Sequence, residues 1–102
     1  IVRGDCYGTS GNKELMNSAT EILSGFGLSV RRNIPYAGGF ITRNYGKPRE
    51  GVHAIQIELN RALYMDEKRI ERLDEIKLLT KSMTDFMNVL GSLLTSNDIA
   101  AE

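Results

Sequence analysis

The sequence predicts an α/β fold, a mixed sheet flanked by helices. Two observations lead there. Leu15, Met16, Ala19, Ile22, Leu23 and Phe26 recur at helical spacing between residues 12 and 26. Short strand-like stretches, residues 1–5 and 28–32, bracket that helix, and strand, helix, strand with short links is the pattern of a layered α/β domain.

Each element has a local reason. Residues 4–12, Gly-Asp-Cys-Tyr-Gly-Thr-Ser-Gly-Asn, are rich in turn formers and read as a loop leaving the first strand. A helix follows over residues 12–24, with Ser10 or Asn12 to cap it and Gly25 or Gly27 to end it in a left-handed conformation. Leu28-Ser29-Val30-Arg31-Arg32 alternates with period two, as a half-buried strand does. Residues 33–50 show no clear periodicity and contain both prolines of the chain, and a loop that long in a compact domain is functional or poorly ordered. Its three aromatic residues and two arginines argue against disorder. Residues 52–59, Val-His-Ala-Ile-Gln-Ile-Glu-Leu, read as a strand. Residues 66–96 read as a C-terminal helical region with Asp66 as a plausible N-cap, and its apolar face carries Leu79, Met83, Phe86, Met87, Leu90, Leu93 and Leu94. Residues 97–102 should fray. The residue 12–24 helix is expected on one face of the sheet and the C-terminal helices on the other.

Composition narrows the function classes. The chain is 102 residues long, 41% hydrophobic and 25% charged, which suits one soluble globular domain and excludes a disordered tail or a collagen-like repeat. Thirteen basic residues offset thirteen acidic ones, so no net field is available to hold nucleic acid or an anionic membrane. No apolar run approaches the ~20 residues that span a bilayer. One cysteine, Cys6, excludes an internal disulfide, fits a reducing compartment and has no activating partner in sequence. The chain opens on Ile1 without a signal peptide, so it is expected to be a single domain or a portion of a larger one.

The chemistry concentrates in the strand over 52–59. His53, Ile55, Ile57 and Leu59 share one face and Val52, Ala54, Gln56 and Glu58 the other. The first face suits a core. A carboxylate on an otherwise apolar strand is expensive to bury unless it is paired or needed, and in a shielded position Glu58 would be a competent general base. A solvated sheet face accounts for the same pattern. Arg43 and Arg49 precede the strand; either could grip an acidic substrate with paired hydrogen bonds, or form a surface ion pair with a neighbour such as Glu50. His53, the only histidine, is structural or lines the site, and with one cysteine it cannot complete a zinc site.

Several motifs then occur in a telling order: Gly4-Asp5-x-x-Gly8-Thr9-Ser10, Pro35-Tyr36-Ala37-Gly38-Gly39-Phe40-Ile41-Thr42-Arg43, Tyr45-Gly46-x-Pro48, Gly51-Val52-His53-Ala54-x-Gln56-x-Glu58 and Asn60-Arg61-x-Leu63-Tyr64-Met65. Over residues 4–67 the chain resembles the N-formylglutamate amidohydrolase family. The resemblance implies a zinc-carboxypeptidase-like (phosphorylase/hydrolase-like) fold and a metal-dependent hydrolase of the cytoplasm. Its reaction cleaves N-formyl-L-glutamate to formate and L-glutamate in histidine breakdown. It implies Glu58 as the base that activates water, and Arg43, with Thr42, Asn44 and His53, at the substrate. The divalent metal, zinc by type, is expected to take its ligands mostly from outside these residues, and the chain to be the C-terminal part of the enzyme, inactive alone and lacking an N-terminal part of the same protein. Two alternatives stand beside this reading: a hydrolase of another N-acyl amino acid or a peptide, and a non-catalytic association module using a seam of Ile76, Leu79, Met83, Phe86, Leu90 and Leu93.

Overall fold

The computed structural model describes residues 1–96; the expected fraying of 97–102 lies outside them. In chain order the elements are β1 (Val2–Gly4), α1 (Lys13–Gly25), β2 (Arg31–Arg32), α2 (Phe40–Tyr45), β3 (Gln56–Glu58), β4 (Met65–Asp66), β5 (Glu71–Arg72) and α3 (Glu75–Ser96), with single 3-10 turns at Pro48–Glu50 and Arg61–Leu63. β1 is central in a three-stranded sheet, parallel to β2 and antiparallel to β3. The mixed sheet with flanking helices is the architecture the sequence predicts.

α1 begins where expected. The Asn12 side chain accepts hydrogen bonds from the Glu14 and Leu15 N–H groups, satisfying donors that have no partner inside the helix. Its end is closed by Gly27 at φ +83°, whose N–H donates to Ser24 O. Leu15, Met16, Ala19 and Leu23 are buried. Ala19 and Leu23 meet Phe86 of α3 in the main core, ringed by Leu28, Val30, Ile55, Ile57 and Leu90.

That core corrects the expected layering. α3 packs on α1 and on the same sheet face, the one bearing Ile55 and Ile57, instead of covering the opposite face. The reason lies in the apolar faces themselves: Met83, Phe86 and Leu90 find the stripe of α1, which strand aliphatics alone would leave half covered. This use of the α3 face also places three of the residues of the supposed association seam inside the domain's own core.

The start of the C-terminal helix is also corrected. Asp66 does not cap it. Its carboxylate accepts from the Lys68 and Arg69 N–H groups inside the turn of the β4–β5 hairpin, and the helix begins at Glu75. An aspartate two residues before backbone donors stabilises a turn as readily as a helix start. The strand over 52–59 narrows to Gln56–Glu58, preceded by an isolated bridge between Lys47 and Val52. Within residues 33–50, 40–45 form α2 and 48–50 a 3-10 turn, while 33–39 remain a loop. Among the described residues no helix is long and apolar enough to cross a membrane.

Replacing Leu23, which has no exposed surface, by alanine in the full-length protein is expected to cost about 2–5 kcal/mol. Urea unfolding monitored by circular dichroism measures it, and a loss below about 0.5 kcal/mol would contradict the shared α1–α3 core.

Candidate active site

Alternation along β3 separates two chemistries. Ile55 and Ile57 go to the helices, so Gln56 and Glu58 occupy the opposite face. There Gln56 forms a relay. Its Oε1 accepts from the Gly39 N–H at 2.9 Å, with the Thr42 hydroxyl at 3.5 Å, and its Nε2 donates to Glu58 Oε1 at 2.9 Å. The two backbone and hydroxyl donors hold the amide so that its NH2 group turns toward the carboxylate. Among the described residues no hydrogen bond reaches the other oxygen of Glu58. The carboxylate, half-buried, lines a cavity of about 390 Å³ together with Arg31, Pro35, Tyr36, Leu59 and Asn60.

The loop that supplies Pro35 and Tyr36 crosses the sheet through a position that admits no side chain. A Cβ on Gly4 would lie 2.6 Å from Ala37 O. The same carbonyl accepts from the Cys6 N–H at 2.8 Å. Asn33, at φ +63°, turns its Oδ1 to the N–H groups of Asp5 and Tyr7. Gly46 is equally constrained, since its Cβ would fall 2.5 Å from Ser10 Cβ. Ser10 also exchanges hydrogen bonds with Ala54, donating through Oγ to its O and accepting at its own O from its N–H. The Gly4–Ser10 turn, the residue 33–46 segment and the entry to β3 are thereby tied together.

Beneath this turn Arg3 and Asp5 form a buried ion pair, Nη1 to Oδ2 at 2.9 Å. The contact is electrostatic more than directional: Nη1 lies off a hydrogen-bond line and Nε has no acceptor. Burial works against the charge of Asp5. The Gly8 N–H, the Asn33 side chain and the Arg3 guanidinium outweigh it and hold the carboxyl below the ordinary value of 3.8.

The structure sorts the candidates named from sequence. Glu58 lies at the cavity. Arg43 and Asn44 are exposed on α2, one and two residues beyond the Thr42 contact to Gln56. Thr42 is buried, its hydroxyl spent on Gln56. His53 precedes β3 and does not line Glu58's cavity; its Nδ1 accepts from the Asn12 N–H at 2.9 Å and its Nε2 is buried without a partner. Arg49 stands on the 3-10 turn, beside a separate cavity with Lys47 and Thr9. Neither Arg43 nor Arg49 makes an ion pair among the described residues. Sequence reasoning gave Gln56 no role and left Arg31 unmarked. A signal for Arg31 existed, because Leu28 and Val30 claim the core face and leave Arg31 for the other. Among the described residues no group of three His, Cys, Asp or Glu side chains could hold a metal ion, so these residues do not fit a complete metal site.

Comparisons with known proteins place the chain in a family. The family model for N-formylglutamate amidohydrolase matches residues 1–65. An N-formylglutamate deformylase of Pseudomonas aeruginosa is 50% identical over 42 residues, 41% of this chain and 16% of that protein. One from Pseudomonas putida is 46% identical over 41 residues, 40% of this chain and 15% of that protein. The crystal structure of N-formylglutamate amidohydrolase from Ralstonia eutropha JMP134 superposes with a TM-score of 0.79 at 32% identity, covering 88% of this chain and 32% of that one. The chain therefore spans about a sixth of the length of these deformylases and about a third of the solved relative. It belongs to the N-formylglutamate amidohydrolase family.

The Asp5 charge should show in acid unfolding of the full-length protein. A carboxyl whose folded value is depressed stabilises the fold above 3.8 and loses that contribution as the pH falls through the folded value. Asp5→Asn is therefore less stable than the parent at pH 7, and the gap narrows below pH 3.8. A gap that stays constant as the pH falls well below 3.8 would show that the pair carries no such linkage.

Proposed function

We propose that the protein to which this chain belongs hydrolyses N-formyl-L-glutamate to formate and L-glutamate, with Glu58 moving the proton at the scissile amide. The Gly39–Gln56–Glu58 relay carries the reading. It presents a carboxylate at a cavity with one oxygen held and the other uncommitted, as a general base requires. The uncommitted oxygen takes a proton from the attacking water as the C–O bond forms at the formyl carbon. The same proton passes to the amide nitrogen as the C–N bond breaks, releasing formate and the free amine. Gln56 orients the carboxylate throughout and supplies no proton of its own. Arg43, next to the Thr42 anchor, holds a substrate carboxylate from the exposed side of α2, with Asn44 beside it and Thr42 fixing the helix. His53 has no part at Glu58's cavity and holds the start of α1 through the Asn12 N–H.

In this reading the chain is the C-terminal portion of a larger zinc-carboxypeptidase-like domain, and the divalent metal, zinc by type, has its ligands mostly outside residues 1–96. The enzyme would work in the cytoplasm, in histidine breakdown. The names of the relatives and the match over residues 1–65 support the substrate.

Two measurements of formate release by the full-length protein test the proposal. Glu58→Gln should lower kcat by at least about 100-fold with folding intact, and near-normal turnover would remove Glu58 from the chemistry. Arg43→Ala should mainly raise KM. A panel of N-acyl amino acids fixes the substrate: cleavage of N-formylaspartate or a peptide far faster than N-formylglutamate would overturn that assignment.

A further inference from the structure

Glu58's cavity has a cation that the proposed reaction has not used. Val2, at the centre of the sheet, is in register with Arg31 on one side and Glu58 on the other. Residues in register project from the same face, so Arg31, Val2 and Glu58 form a row across the sheet. Two strand spacings separate the ends of that row, about 10 Å between Cα positions. Both end residues line the cavity of about 390 Å³.

The other arginines of these strands are placed differently. Arg3 is buried against Asp5. Arg32 is in register with Arg3 and lines a cavity on the helix side with Asp5, Lys13 and Asn33. Arg31 is exposed, and the ion pairs among the described residues, Arg3–Asp5, Arg69–Asp66 and Lys81–Asp85, do not include it. A guanidinium that forms no ion pair among the described residues, lining the same cavity as a carboxylate whose second oxygen is uncommitted, is arranged to receive an anion.

We propose that Arg31 is a specificity-determining residue that binds the side-chain carboxylate of the N-formyl amino acid, while the formamide lies against Glu58. The inference rests on the deformylase reading and deepens it. N-formylglutamate carries two carboxylates, and the side-chain one is the farther from the scissile bond. The row places its cation at a matching remove from Glu58, with Val2 as the apolar floor between them for the substrate's methylenes. Arg43 is left to the α-carboxylate, a group that every N-formyl amino acid shares.

The test compares formate release from N-formyl-L-glutamate and its neutral isostere N-formyl-L-glutamine by the full-length protein. Arg31→Met should lower kcat/KM for N-formylglutamate about 10- to 100-fold, chiefly through KM, the worth of charge-assisted hydrogen bonds. N-formylglutamine turnover should change less than about 3-fold, within the scatter of an exposed substitution. Arg31→Lys, which keeps the charge and loses the fork, should fall between, and it serves if the methionine variant does not fold. Arg43→Ala should weaken both substrates alike. Equal losses on both substrates in the Arg31 variants, no loss on either, or a selectivity change in Arg43→Ala instead would overturn the assignment. A parent protein that releases formate from neither substrate, or retains turnover in Glu58→Gln, would fail the deformylase reading first and the Arg31 assignment with it.

Discussion

The period-two alternation of one short strand decides which side chains this domain buries and which it presents. β3 has only three residues, Gln56–Glu58, yet its pairing with the middle strand sends Ile57, with Ile55 before it, into the core with Ala19, Leu23 and Phe86. The same pairing leaves Gln56 and Glu58 on the face that α1 and α3 do not cover, where the start of α2 meets Gln56. A slip of one residue would exchange the two sets, burying a carboxylate among aliphatics and exposing the isoleucines. The hydrophobic cost of that exchange fixes the register, and the register places the carboxylate. Stability and chemistry here share one constraint.

A second constraint keeps the chemical face open. Residues 33–46 would collapse onto the sheet or leave it if they were held by apolar contacts, because Ile34, Tyr36, Phe40 and Ile41 are all exposed. They are held by backbone hydrogen bonds and close approaches instead. Gly4 admits the Ala37 carbonyl, Asn33 clasps the Gly4–Ser10 turn, and Gly46 lies against Ser10. Gln56 then joins the start of α2 to Glu58. The segment that looks least structured by periodicity is anchored through its polar backbone groups.

This explains what sequence could and could not reveal. α1 was legible almost to the residue, since Asn12 and the stripe of Leu15, Met16, Ala19 and Leu23 act locally. The two faces of β3 were legible for the same reason, and with them Glu58. The packing of α3 on α1 was not, because an apolar face states that it must be covered and not by what. Asp66 misled because its carboxylate serves a turn and a helix start by the same hydrogen bonds. The family motifs supplied the candidate roles of Arg43, Thr42 and Asn44, but only coordinates show that Thr42 is turned inward to Gln56 while its neighbours are exposed. Gln56 escaped notice because its function depends on Gly39, seventeen residues away.

The charges of the sheet follow from the same register. A formally neutral chain places three arginines on two adjacent strands, Arg3, Arg31 and Arg32. On the helix side Arg3 and Arg32 stand in register, a repulsive arrangement that Asp5 relieves by pairing with Arg3 out of solvent. On the other side Arg31 and Glu58 are attractive partners kept apart by the width of a strand, with buried Val2 between them. Had they been on neighbouring strands they would form a cross-strand pair worth a fraction of a kcal/mol and offer nothing to a ligand. Across β1 they form no ion pair among the described residues, and the guanidinium and the second Glu58 oxygen each retain an electrostatic demand at the same cavity. A molecule with an acidic group at one end and a hydrolysable amide at the other satisfies both demands at once, and a neutral or shorter one satisfies a single demand.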